Sequence, residues 1–481
     1  PSMKRGLFLV SLCLLLSPGH ATIPHLAHWG GEAAVPQFRA ATKPEATARF
    51  EAWVRQNAAD AGCPTFEKLD MLKIDNAGHG LIASEDIAPN ELVGCIPYDM
   101  TLGIESVRKT KNPELFQELC SSRMCLTLAV CLPIAGSAPP EMCSMLMLLY
   151  EMRIGEDSFW APYFPILPSA EQLTGTLYWS QDMRSWVNQS LGLSSRDYVM
   201  DDYLHRMWSH FSAGRLGPIS QHFPTDYYNF ERIKWAYAIV MSRAWGRDGG
   251  KGSKLMVPYA DVANHNVEAT QGVRILTLEF NDNDRRIDQF ARGLGWKAGD
   301  EVFGSYGNMP NHDLLGQYGF TLQPNPLDHV VVRPDEVWNN PENPLAEPMQ
   351  ALVQAAGIYP QVHYVDIDGN PSKHLLQMFR IGNLQNHEIQ HGMKTITGER
   401  VSIEHEYRSL RAFRDKLREL KQAFNTTEEE DQATLEEIAR APVGDPSWIR
   451  QPFIYIFRVE KEILRKAYRK LGRLWHEVLF D

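Results

Sequence analysis

The seven cysteines of this 481-residue chain include no C-x-x-C pair, so the ligand spacing of a structural zinc site is missing. Cys13, Cys63, Cys95, Cys120, Cys125, Cys131 and Cys143 read instead as buried free thiols, with a disulfide in the Cys120 to Cys143 group as the lesser alternative. Positive charge is not in excess: 48 Lys and Arg against 59 Asp and Glu leave a net charge of -11, which excludes a general nucleic-acid binder. No apolar run is long enough to span a bilayer as a helix, because the Leu7–Leu16 run is too short. Gly78-His79-Gly80 lacks the third glycine of a dinucleotide fingerprint, so a Rossmann-type enzyme has no support.

What is present falls into segments. Met3, Lys4-Arg5 and the run Leu7–Leu16, followed by Gly19-His20-Ala21, form a signal-peptide pattern over residues 1–21. Residues 22–48 are rich in Ala, Pro and Thr without helical or strand period and read as a linker or transit segment. Folding begins near Ala48, and Leu81–Ala83 and Glu91–Ile96 are strand candidates around the Pro89-Asn90 turn. Phe230, Ile233, Ala236, Tyr237 and Val240 mark an amphipathic helix that ends at Ser242-Arg243. Beyond the proline-rich boundary after Phe320, helices are expected over Arg408–Phe424, Thr427–Ala439 and Arg450–Trp475. The charged run Glu460-Lys461-Glu462 reads as a solvated face of the last of these.

Polar residues concentrate between Lys254 and Phe320. Val257–Ala263 reads as a buried strand or short helix that delivers Asn264 and His265, with Asp261 just before them. Glu301–Gly304 reads as a strand that delivers Tyr306 in a Ser-Tyr-Gly-Asn turn. These two motifs, about forty residues apart, together with DSFWAPYFPILPS at Asp157–Ser169 and IFRVEKEIL near the C-terminus, resemble one branch of the SET-domain proteins. That branch contains the Rubisco large-subunit lysine methyltransferase and the actin-histidine methyltransferase.

The resemblance implies an α+β fold: a β-rich SET domain of small sheets over residues 49–322, with a helical insert at about 104–229, followed by an all-α substrate-binding domain at 340–481. It implies S-adenosylmethionine as cofactor, held by Gly78, His79, Gly80, Ser242, Arg243, Asp261, Asn264, His265, Tyr318 and Phe320. Tyr306 is the implied catalytic residue, at the end of a substrate channel shared with Arg243, Trp245 and Tyr318. No metal is implied. The plant branch often has an acidic residue before the first glycine, where this chain has Ala77, with Asp75 close by. The aromatics of Phe159–Pro168 are expected to pack rather than react.

Substrate choice turns on position 245. The actin-histidine branch places an asparagine two residues after the helix-end arginine, whereas Trp245 offers a ring suited to the alkyl stem and cationic head of lysine. The expected activity is therefore methylation of a protein lysine on a non-histone substrate, such as Rubisco or another plastid protein. Protein-histidine methylation and a catalytically inactive SET-like binding module are the alternatives. A zinc hydrolase built on His265 and His312 lacks the paired-histidine spacing it would need. A monomer acting on a protein substrate is expected, delivered to a plastid through the secretory-type signal, with the secretory pathway or cytoplasm as alternative compartments.

Overall fold

The computed structural model describes residues 43–74, 78–120, 141–187, 189–193, 204–209, 212–214, 217–247, 254–358, 363–442 and 445–480. The signal-peptide segment 1–21, Asp75 and Ala77 lie outside these described residues.

Short antiparallel sheets run from Leu69 to Asp366. Strands β1 (Leu69–Ile74), β2 (Gly78–Ala83) and β8 (Glu301–Val302) form one sheet, in the order β1-β2-β8. Strands β3 (Leu92–Pro97), β6 (Arg274–Asn281) and β7 (Arg286–Gly293) form another, with β7 central. The β6–β7 hairpin closes at Asn281, whose side-chain oxygen accepts the Asp284 N–H at 3.1 Å, the local bond that asparagine favours in turns. Two short pairs complete the strands: β4 (Ala244–Gly246) with β5 (Lys254–Met256), and β9 (His329–Val331) with β10 (Tyr364–Asp366).

The helix Phe230–Arg243 runs where its apolar spacing predicts. Asn229 caps it by accepting the Arg232 N–H at 3.0 Å, and Ile233, Ala236, Tyr237 and Val240 are buried. At Arg243 the chain turns directly into β4, so the arginine is held where helix and strand meet. The helix Lys43–Asp60 begins ahead of the Ala48 expected and packs Phe50 and Val54 into the main core.

The C-terminal region is mainly helical, with helices Ala346–Ala355, Leu375–Gly382, Ile403–Gln422, Glu428–Arg440 and Gln451–Phe480, and it also carries the short strand β10. Phe413, Leu417 and Phe424 are buried together with Phe453 and Phe457. The same cluster takes in Trp179, Val187, Leu193 and Leu315 from outside the C-terminal helices. One apolar core therefore joins residues 179–193 and Leu315 to the C-terminal helices. No described helix is long and apolar enough to cross a membrane.

Two expectations are corrected. Cys63 is bonded to Cys95 and Cys120 to Cys143, with Cα atoms 5.6 and 5.2 Å apart, so these four are not free thiols. Tertiary structure brings together residues 32 and 23 positions apart, which spacing alone does not reveal. Glu460 and Lys461 are also not solvated, at 3% and 1% exposure. Lys461 pairs with Asp431 at 2.5 Å, and Glu460 turns inward, as described below.

Candidate active site

A one-turn 3-10 helix at Ala260–Val262 delivers Asn264 and His265, and β8 delivers Tyr306. The two segments meet through Gly304, whose N–H donates to the Asn264 carbonyl at 2.8 Å while the Leu276 N–H donates to the neighbouring Phe303 carbonyl at 2.9 Å. This pairing of Gly304 with both His265 and Leu276 carries the two motifs to one place.

They open on a cavity of about 1010 Å³. Gly78, His79, Ser242, Arg243, Asp261, Asn264, His265, Tyr306, Tyr318 and Phe320 all line it. Gly80 and Trp245 are not among the lining residues. A Cβ on Gly80 would come within 2.7 Å of Ile74, and within 2.9 Å of both the Asn264 amide and Glu301. Its glycine is therefore required by protein packing beneath Asn264. Gly78 instead needs φ of +80° and faces open space. Trp245 pairs with Leu255 across β4–β5, and its ring stands over Gly304, where an added Cβ would meet it at 3.7 Å.

Tyr306 is fixed at both ends. Its N–H donates to His265 Nδ1 at 3.3 Å and its hydroxyl to the Ala263 carbonyl at 3.3 Å. Its ring stacks on His265, with centroids 5.1 Å apart, and lies 4.5 Å from the Tyr318 ring. Burial pushes the phenol up to about 12, opposed by the Arg243 charge. Tyr318, at the end of the helix Asn311–Tyr318, is likewise pushed up by burial and then by Tyr306. Both remain phenols at neutral pH.

His265 is buried, and desolvation lowers its pKa, so it is neutral. Nδ1 lies 3.3 Å from both the Tyr306 N–H and the Gly304 carbonyl, and Nε2 lies 3.1 Å from Thr270 Oγ1, whose own hydroxyl donates to the Asn266 carbonyl at 3.0 Å. Asn264 donates from Nδ2 to Glu301 at 2.8 Å. Ser242 spends its hydroxyl on its own helix, donating to the Ala238 carbonyl at 2.8 Å, the usual fate of a serine in the last turn.

Asp261 is the electrostatic centre. Oδ2 accepts from Tyr163 at 2.5 Å and from Arg243 at 3.3 Å, while Oδ1 is buried with no hydrogen-bond partner among the described residues. Burial raises the carboxyl, and Arg243 and Tyr163 oppose that shift. Burial is the largest influence on the Arg243 cation and works against it, but Asp261 together with Tyr163 and Tyr306 outweighs it and the guanidinium ends raised. A lining carboxylate oxygen with no partner suits a ligand N–H or a cationic group. Sequence reasoning assigned Tyr163 to packing. The signal available was a single hydroxyl inside an apolar run, since a buried tyrosine needs a partner for its O–H.

Among the described residues no group of three His, Cys, Asp or Glu is placed to hold a metal ion. The site offers hydrogen-bond acceptors and donors, an aromatic wall and one neutralised ion pair. Such a surface binds and orients a polar ligand and keeps water from it.

Comparison with known proteins places this geometry in context. Residues 340–464 match the family described as Rubisco LSMT substrate-binding. The actin-histidine N-methyltransferase of Xenopus tropicalis is 23% identical over 442 residues, which cover 86% of this chain and 68% of that protein. That of Canis lupus familiaris is 24% identical over 440 residues, covering 86% of this chain and 67% of its own length. The human protein of that name matches at 24% over 58% of this chain and 43% of its own. Among solved structures, the SET domain of LSMT bound to lysine and AdoHcy superposes with a TM-score of 0.70 at 20% identity, over 91% of this chain and 93% of that one. Rubisco LSMT bound to sinefungin and monomethyllysine gives 0.68 at 21% identity, over 90% and 93%.

Proposed function

We propose that this chain, which has the SET fold of the Rubisco LSMT structures and a C-terminal region matching their substrate-binding family, is a protein N-methyltransferase that uses S-adenosylmethionine. The observation that carries the reading is the convergence of Asn264, His265, Tyr306, Tyr318 and Phe320, from separate motifs, on one cavity with Gly78 and His79. At about 1010 Å³ that cavity lies at the upper end of the roughly 300–1,000 Å³ of small-molecule and cofactor sites. The partnerless Asp261 oxygen suits a cationic ligand. The residues present therefore fit the cofactor.

Gly78, His79, Asn264 and His265 would hold it, with Arg243 and Asp261 beside them. When bound, S-adenosylmethionine would supply an electrophilic methyl group on a sulfonium, open to in-line attack by a nitrogen lone pair with the thioether S-adenosylhomocysteine as leaving group. The chain's own part is positioning. Tyr306, held as a phenol, orients the acceptor nitrogen by hydrogen bonding rather than by acting as a base. The rings of Tyr306, Tyr318 and Phe320 exclude water from the acceptor.

For the acceptor we favour histidine, on the support of the actin-histidine relatives. An imidazole is mostly neutral at pH 7 and needs no deprotonation before attack. Lysine is the second reading, supported by the likeness to LSMT structures bound to lysine and monomethyllysine; Trp245, which stands where the histidine branch has asparagine, is set back from the cavity lining. The enzyme works as a monomer on a protein substrate. The disulfides support passage through an oxidising compartment, in keeping with a signal-led route to a plastid.

Calorimetric titration of S-adenosylmethionine into the protein tests the first step, and Asn264→Ala should weaken binding about tenfold. Methyl-labelled products made in a protein extract are then hydrolysed to amino acids. Methylhistidine is expected. Methyllysine would install the second reading, and absence of cofactor binding would leave an inactive protein-binding module.

A further inference from the structure

Glu460 lies on the long C-terminal helix Gln451–Phe480, but its carboxylate is spent on the first half of the chain. Oε1 accepts from Ser190 Oγ at 3.0 Å and from the Gly192 N–H at 3.2 Å, and Oε2 accepts from the Leu191 N–H at 3.2 Å. Ser190 Oγ in turn accepts the Leu193 N–H at 3.2 Å. One carboxylate therefore organises the whole Ser190–Leu193 turn. Gly192 and Leu193 are also walls of the active cavity.

The wall has little slack. A Cβ on Gly192 would meet the His312 ring at 2.5 Å, and His312 lines the cavity as well. His312 follows Asn311 at the start of the helix that ends in Tyr318, and Asn311 is pinned to Asp328 by bonds of 2.7 and 2.8 Å. Asp328, His312, His329 and Glu460 face one another across a small void that no Lys or Arg lines.

Such a carboxylate is a poor choice for packing alone. Burying it without a cation is costly, and a methionine or leucine would fill the space at lower cost. Burial, with Asp328 adding to it, pushes the carboxyl up to about 7 despite the three bonds from the turn. A buried acceptor that satisfies two backbone N–H groups of a cavity wall has a positional use instead.

We propose that Glu460 is a positioning residue for methyl transfer: it fixes the Ser190–Leu193 wall of the cavity and so makes the geometry of that cavity depend on the seating of the C-terminal substrate-binding region. This rests on the methyltransferase reading for the cavity's use, but the mechanical link does not. A protein substrate bound on the C-terminal helices would then bias the cavity wall through one side chain.

The test uses the full chain with Glu460→Gln, which keeps shape but replaces one acceptor oxygen by a donor, and with Ser190→Ala. Hydrogen exchange at Leu191 and Gly192 should quicken about tenfold in Glu460→Gln, with a coupled rise along residues 311–318, while the helix Ala346–Ala355, whose buried residues belong to a separate apolar cluster, is unchanged. The dissociation constant of S-adenosylhomocysteine should rise about tenfold, and the double variant should add little to either single one. Unchanged exchange at Leu191 and Gly192 would overturn the proposal. So would faster exchange there with residues 311–318 and ligand affinity both unmoved. If the unaltered protein fails to bind S-adenosylhomocysteine, the functional reading falls, and the coupled exchange along residues 311–318 alone decides the role of Glu460.

Discussion

Tyr163 and Asp261, 98 positions apart in the chain, share a buried hydrogen bond of 2.5 Å beside the Arg243 guanidinium. Removing the Tyr163 hydroxyl leaves Asp261 in the same burial with Arg243 as its remaining donor. Tyr163→Phe is therefore expected to lower melting stability by about 1–3 kcal/mol. It should also reduce kcat/KM about tenfold, because the carboxylate that lines the cavity loses the bond that orients it. Thermal melts and steady-state methylation assays check both, and a variant indistinguishable from the parent would show the bond to be incidental.

Tyr306→Phe removes one oxygen and leaves the ring stack with His265 and Tyr318 in place. The turnover rate should fall by about 10²–10³, the usual scale for loss of one preorganised hydrogen-bonding group. Cofactor affinity, measured by calorimetry, should stay within about threefold. A large loss of affinity with turnover intact would place Tyr306 in the binding surface instead.

The two halves of this site differ in how far the sequence exposes them. Asn264, His265 and Tyr306 stand at the ends of apolar runs, so polarity against a hydrophobic background marks them. The long apolar spacing of Phe230–Val240 likewise predicts its helix and the place of Arg243. Tyr163 was hidden because aromatic composition does not distinguish packing from hydrogen bonding. Glu460 was hidden because alternating charge on a helix usually faces water, and only the tertiary fold supplies the Ser190–Gly192 donors that bury it. The Cys63–Cys95 pair was hidden for the same reason, since contact between those residues is a property of the folded chain, whereas the Cys120–Cys143 bond falls in the group for which a disulfide was the lesser alternative.

Gly80 gives a sharper test of why a glycine stands in β2. A Cβ there collides with Ile74 and with both partners of the Asn264–Glu301 bond. Gly80→Ala should therefore displace the Asn264 amide and weaken S-adenosylmethionine about tenfold, the cost of about one hydrogen bond. Gly78→Ala meets no atom within 4 Å but is forced to hold φ at +80°, so its cost should appear as stability, about 1 kcal/mol. Calorimetry and melting curves on the pair separate the two causes. Equal losses of affinity in both variants would favour direct approach of the ligand to the backbone of this strand.

The pH dependence of stability isolates Glu460. Burial, then the Asp328 charge, raises its carboxyl to about 7, against the lowering effect of Ser190, Leu191 and Gly192. Its folded pKa thus lies above the unfolded value of about 4.3. Between those values the native state binds more protons than the unfolded chain, so the slope of unfolding free energy with pH is negative. The stabilisation is complete below about pH 4.3 and is lost as pH rises through about 7. Glu460→Gln cannot ionise and should lack that slope, so its stability relative to the parent should improve steadily from pH 5 to pH 8, by roughly 1–3 kcal/mol in all. Asp328 shifts the same way, to about 6, and Asp328→Asn alongside separates its share from that of Glu460, with His312 and His329 present in both. Urea unfolding across this range gives the answer, and parallel curves for Glu460→Gln and the parent would mean that Glu460 does not titrate between pH 5 and 8. A negative slope that disappears with Glu460 would mean that the fold gives up stability near neutral pH to keep an ionised acceptor for the cavity wall.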